Sequence, residues 1–153
     1  RALGMDHVVL LESNPMRRQA LRPEHGIEVY APTDAAVPGT GACEVVVDAV
    51  GSEATRALAC DKAKAGGTIV HPGLQSALGG LDARRMTLQE ISFIGTYTYT
   101  PTDFRETVKA MASGQLGPLD WIETRPLADG ATAFEDVLAG RVAPPKIVLE
   151  PAL

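Results

Sequence analysis

Glu12 closes the apolar run His7-Val8-Val9-Leu10-Leu11, and an acid in that place has a specific chemical use. At the end of the second strand of a dinucleotide-binding sheet, a carboxylate accepts hydrogen bonds from the adenosine ribose hydroxyls. It also repels a 2′-phosphate and so selects NAD over NADP. A solvated acid at a strand end looks the same in sequence. Arg17, in the first turn of the next helix, could bond the same ribose or lie under the adenine ring. Beside Arg18 it also raises the opposite possibility, a guanidinium that accommodates a 2′-phosphate. Glu12 outweighs it, because the acid would face that phosphate directly. Gly51 and Gly73 each follow a strand, where open α/β sheets bind ligands and where glycine lets the backbone approach closely. Ordinary turn glycines are as common there. Thr96 and Tyr97 leave the last strand of the sheet, where main-chain groups could hold a carboxamide. Lys146 opens the final strand and could meet a pyrophosphate; the alternative is a surface lysine.

What the chain omits carries equal weight. A dinucleotide fold needs a Gly-x-Gly-x-x-Gly turn that brings the phosphates to a helix N-terminus, and no such run occurs. Gly39-Thr40-Gly41 comes nearest but precedes a strand. His7, His25 and His71 are scattered, and neither they nor Cys43 and Cys60 show zinc-ligand spacing. No nucleophile–base cluster or paired carboxylates can be defended. The reading therefore assigns no catalytic residue and no metal ligand to these residues. Two cysteines fit a reducing, cytoplasmic setting better than a disulfide.

The elements that would position these residues alternate. Residues 7–12 and 27–30 read as short buried strands, and Ser13-Asn14-Pro15 starts a helix that stops near Gly26. Residues 44–50 form a β-branched strand. Ser52 then starts a helix with apolar positions Ala54, Ala57, Leu58 and Ala65, closed by Gly66-Gly67. A strand at 68–71, a short helix at 82–90 and a strand at 91–96 follow. A helix at 103–113 buries Phe104, Val108 and Met111 and ends at Gly114. Strand 121–127, helix 130–138 and strand 146–149 complete the chain. This alternation predicts an α/β fold, a doubly wound parallel sheet. The sequence has 153 residues, 45 % of them hydrophobic, enough for a core, and a net charge of −5, which argues against nucleic acid and anionic membranes. No apolar run approaches the ~20 residues that span a bilayer.

In order and spacing, the segments resemble the zinc-containing medium-chain dehydrogenase/reductase family, nearest its alcohol and sorbitol-type polyol branch. The matching pieces are Arg1-Ala2-Leu3-Gly4, residues 7–18, Asp48-Ala49-Val50-Gly51, Gly66-Gly67-Thr68-Ile69-Val70 with Gly73-Leu74, and Thr87 through Tyr97. Thr100-Pro101, Asp103-Phe104, Ala112-Ser113-Gly114 and the tail from Pro126-Leu127 to Lys146-Ile147-Val148 continue it. The resemblance implies a Rossmann-like sheet lacking its first strand and glycine turn (residues 1–115), then a segment returning to the catalytic domain (116–153). It implies NAD contacts at Glu12, Arg17, Gly51, Gly73, Leu74, Thr96, Tyr97 and Lys146. In the intact parent, a zinc bound elsewhere polarises a secondary alcohol whose hydride passes to NAD. This chain by itself would be inactive.

In the strand order 3-2-1-4-5-6 the missing strand is central. Its neighbours would flank a gap, leaving the isolated chain marginal, repacked or oligomeric. Edge strand 91–96 is the expected pairing site of a homo-oligomer. Two other readings stand beside this one: a zinc-free quinone or enoyl reductase of the same superfamily, and a stand-alone nucleotide-binding or interaction module. Glu12 speaks against the first, and the absent glycine turn against the second.

Overall fold

In the computed structural model, which describes residues 4–21, 27–117 and 121–151, strands and helices alternate and every strand pairing is parallel. The strands form three ladders, β1–β2, β3–β4–β5 and β6–β7, and not one continuous sheet. Arg1, Ala2 and Leu3, and the expected helix end near Gly26 with His25, lie outside the described residues.

The chain divides into two units, one of residues 38–100 and one of residues 1–37 with 101–153. In the first, β3 (Cys43–Val47), α2 (Glu53–Lys62), β4 (Ala63–His71), α3 (Ala83–Leu88) and β5 (Ser92–Gly95) follow in order. Val45, Val46 and Val47 stand opposite Thr68, Ile69 and Val70, and Ile69 stands opposite Phe93. Branched and aromatic residues suit the pleated surface, which is why these runs are strands. Ala59, Cys60, Ala63, Ile69 and Ile91 form the core, with Val46, Met86 and Phe93 packed against it. Ile69 is fully buried, a contribution of about 1.5–3 kcal/mol for such a side chain. Cys43 and Cys60 are both free thiols.

Several boundaries differ from those read in the sequence. Helix α2 ends at Lys62, not at Gly66-Gly67, because Arg85 of α3 takes the carbonyls left open at its end. Its Nε donates to Cys60 O at 2.7 Å and Nη2 to Ala63 O at 3.0 Å. The two glycines lie inside β4 at a register jump, where Cys43 faces Ala63 but Val45 faces Thr68. The buried face of α2 is also different: Arg56, Ala59 and Cys60 point inward, while Ala54 and Ala57 are exposed. Strand β3 stops at Val47, since Asp48 begins a turn.

The other unit holds β1 (Val9–Leu11), α1 (Pro15–Leu21), β2 (Glu28–Tyr30), α4 (Pro101–Ala112), β6 (Ile122–Pro126), a 3-10 turn Leu127–Asp129, α5 (Gly130–Leu138) and β7 (Lys146–Glu150). Asn14 caps α1, its Oδ1 accepting from Met16 N at 2.9 Å, and Pro15 takes the first helical position. Val29, Ala133 and Val142 are buried. Phe104, Val108 and Met111 have the helical spacing expected of them but are 55, 46 and 43 % exposed, so α4 is amphipathic without being buried. Arg125 on β6 bonds Asp136 of α5 at 2.8 Å and Glu123 at 2.5 Å, tying strand to helix.

Candidate functional site

Two groups of the expected residues lie at the carboxyl ends of strands, one in each unit. In the first, Glu12 follows β1 directly, and its backbone N–H donates to Tyr30 O at 3.0 Å. Its Oε1 accepts from Asn14 N at 2.7 Å, which fixes the half-buried carboxylate. Among the described residues Oε2 accepts no hydrogen bond, so one carboxylate oxygen is open to a hydroxyl donor.

The neighbouring arginines have different surroundings. Arg18 Nη1 donates to Glu12 O and Ser13 O, each at 2.7 Å, so this guanidinium is committed to the main chain of the acid turn. Arg17 Nε is buried and has no hydrogen-bond partner among the described residues. A buried N–H left unpaired costs about 1–3 kcal/mol, which makes it a plain candidate for a ligand oxygen. A cavity of 450 Å³ lined by Pro15, Arg18, Gln19, Ala31 and Asp34 adjoins this turn. The tail reaches the same turn, with Asn14 Nδ2 donating to Gly140 O at 2.9 Å.

In the second group, Gly51, Gly73, Leu74 and Thr96 converge. Gly51 has φ +73°, and a Cβ there would lie 2.2 Å from Gly73 C and O and 2.7 Å from Leu74 N. Thr96 N donates to His71 O at 3.3 Å, which joins the end of β5 to the end of β4. Among the described residues the Thr96 carbonyl and the Tyr97 N–H stay without a hydrogen bond, and Tyr97 is 84 % exposed. These main-chain groups are the ones a carboxamide would need. In the other unit, Lys146 heads β7 opposite Ile122 and is exposed.

Sequence reasoning missed the groups that hold this second cluster. Asp48, 5 % exposed, accepts from Gly51 N at 2.9 Å, Val50 N at 3.1 Å and Thr55 Oγ1 at 3.1 Å. His71 Nε2 lies 3.5 Å from Asp48 Oδ2, and its ring meets Phe93 at 5.0 Å. Ser52 and Thr55 form a reciprocal capping box at the start of α2. Asp three residues before a positive-φ glycine at a strand end is the signal that could have found this turn. A cavity of 620 Å³, lined by Arg56, His71, Leu74, Leu78, Leu81 and Phe93, lies beside it.

Among the described residues His71 Nε2 is buried without a hydrogen-bond partner, beside Asp48 and the cavity that His71 lines. Among the described residues, no three His, Cys, Asp or Glu side chains come together where a metal ion could sit. The described residues thus offer no three-ligand set for zinc. Within its own unit each group offers open polar groups at a strand end: a carboxylate oxygen at Glu12, and main-chain groups at Thr96 and Tyr97. No helix among the described residues is long and apolar enough to cross a membrane.

The family model for zinc-binding dehydrogenases matches residues 1–113. The structure is similar to acetophenone reductase from Geotrichum candidum, solved in complex with NAD (24 % identity, TM-score 0.80), covering 94 % of this chain and 41 % of that one. It is similar to 2R,3R-butanediol dehydrogenase from Bacillus subtilis (17 % identity, TM-score 0.80), covering 99 % and 45 %. A protein from Sinorhizobium meliloti 1021 solved with NADP bound matches at 22 % identity and TM-score 0.75, covering 98 % and 46 %. At these identities the likeness speaks for the fold. The chain spans less than half the length of each.

Proposed function

The chain belongs to the zinc-binding dehydrogenase family, and from that premise we propose that it forms the nucleotide-binding, C-terminal part of an NAD-dependent alcohol or polyol dehydrogenase. The observation that carries the cofactor reading is Glu12, held at the end of β1 with Oε2 open. Ribose hydroxyls would donate to that oxygen, and a 2′-phosphate would be repelled by it. Arg17, whose buried Nε has no partner among the described residues, would lie against the same nucleotide half. Gly51, Gly73 and Leu74 would line the crevice beside the nicotinamide, and the Thr96 carbonyl and Tyr97 N–H would hold its carboxamide. Lys146 is assigned to the pyrophosphate on family resemblance alone.

In this reading residues 1–115 belong to the nucleotide-binding domain and 116–153 return to the catalytic domain. The hydride comes from a secondary alcohol, and the zinc is held by residues outside these 153. Each relative is more than twice as long as the matched part, which leaves room for such residues. We also assign β5 as the pairing edge of a homo-oligomer. It is an outer strand of its ladder, and Ile94 on it is 51 % exposed. Titrating the full-length protein with NADH and NADPH tests the cofactor assignment. NADH should bind at least about tenfold more tightly, as charge repulsion at the ribose predicts; equal or reversed affinities overturn it.

A further inference from the structure

Arg56 is 5 % exposed and forms no ion pair among the described residues. Its guanidinium meets oxygen acceptors instead. Nε donates to Gly79 O at 2.6 Å, and Nη1 donates to Gly51 O at 2.7 Å and Ser76 O at 2.9 Å. Nη2 donates to Ser76 Oγ at 2.9 Å and to Leu78 O. A guanidinium carries five N–H groups in a rigid planar fork, so every donor is used. The acceptors belong to two loops, the turn after β3 and the segment 73–80 after β4. These are the loops that meet at Gly51 and Gly73.

We infer that Arg56 is a positioning residue for the nicotinamide half of the dinucleotide, acting through the main chain of Gly73 and Leu74. The inference rests on the dinucleotide reading above. A dinucleotide sheet has two mononucleotide-binding halves, and an acid such as Glu12 serves the adenosine half. β3, β4 and β5 form the other half, and Arg56 sits beneath its strand-end loops. The packing of glycine on glycine leaves no side chain there to interlock, so polar bonds from below must set the height of the loop. Lysine cannot replace the fork: a single ammonium has three donors at one point and cannot span both loops.

The test compares NADH with AMP, which contains only the adenosine half, on the full-length protein and on two variants. Arg56→Lys should weaken NADH binding about tenfold or more, since small displacements of positioned groups act on that scale. AMP affinity should stay within about twofold, because the Glu12 turn is untouched. Ser76→Ala removes one acceptor of the fork and should give a smaller loss of the same kind, which keeps the test decisive if Arg56→Lys fails to fold. Unchanged NADH affinity in Ser76→Ala and in a folded Arg56→Lys overturns the inference. So does an equal loss of NADH and AMP. Failure of the unaltered protein to bind either ligand instead overturns the dinucleotide reading, and the inference goes with it.

Discussion

Gly51 and Gly73 stand so close that a Cβ added to either would lie 2.2 Å from backbone atoms of the other. Their absence of side chains is thus required by the meeting of two loops, whatever ligand lies above them. Gly51→Ala and Gly73→Ala should each cost at least about 2 kcal/mol in urea unfolding, from strain and forced loop separation. Gly95→Ala is the control, because its Cβ would meet nothing within 4 Å. It should stay within about 0.5 kcal/mol.

Asp48 organises the same turn through geometry. Asp48→Asn keeps an oxygen for Gly51 N and Val50 N but disturbs the Thr55 hydroxyl contact at Oδ2. Asp48→Ala removes the acceptor of all three; Thr55 Oγ1 keeps Ser52 O, but the buried Gly51 N is left unpaired, at about 1–3 kcal/mol. The alanine variant should therefore unfold at clearly lower urea than the asparagine variant. Equal losses would mean that the charge beside His71 matters more than the hydrogen bonds.

Glu12→Gln separates charge from structure at the nucleotide turn. The amide keeps an oxygen for Asn14 N, so stability should hold, while repulsion of a 2′-phosphate is removed. The NADH over NADPH preference should narrow by about tenfold, roughly the worth of one close charge contact. An unchanged preference would remove Glu12 from specificity.

Acid should loosen the tail first. Hydrogen bonds from Arg125, then Arg141, hold the Asp136 carboxyl below its usual range. A lowered folded value means the stabilisation is complete above the ordinary carboxylate value, about pH 3.9, and is lost as pH falls through the folded one. Amide exchange in β6 and β7 should accelerate below about pH 4. In Asp136→Asn that acid step should disappear, and exchange should already be faster at neutral pH.

The strands were legible because Val45-Val46-Val47 and Thr68-Ile69-Val70 are dense in branched residues. Glu12 follows its strand directly, as read, whereas Gly51 and Gly73 lie in the turns beyond Val47 and His71, where β3 and β4 end. The buried face of α2 was not legible: it runs through Arg56, Ala59 and Cys60, and an arginine at a core position reads as solvent. Most of its partners are backbone carbonyls 20 or more residues away in sequence, and no pattern of residue types announces those. Gly66-Gly67 misled for a related reason. A glycine pair after a helix suggests its end, but tertiary capping by Arg85 ended α2 earlier. The spacing of Phe104, Val108 and Met111 identified an apolar face, and spacing alone does not say whether a face is covered.

The most direct test of the central claim is to read the coding sequence upstream of Arg1. The account predicts an in-frame extension with a strand, a Gly-x-Gly-x-x-Gly turn and, further upstream, Cys and His ligands for zinc. A start codon immediately before Arg1 would contradict it, and the role of Glu12 and the two glycines would then have to be sought in binding alone.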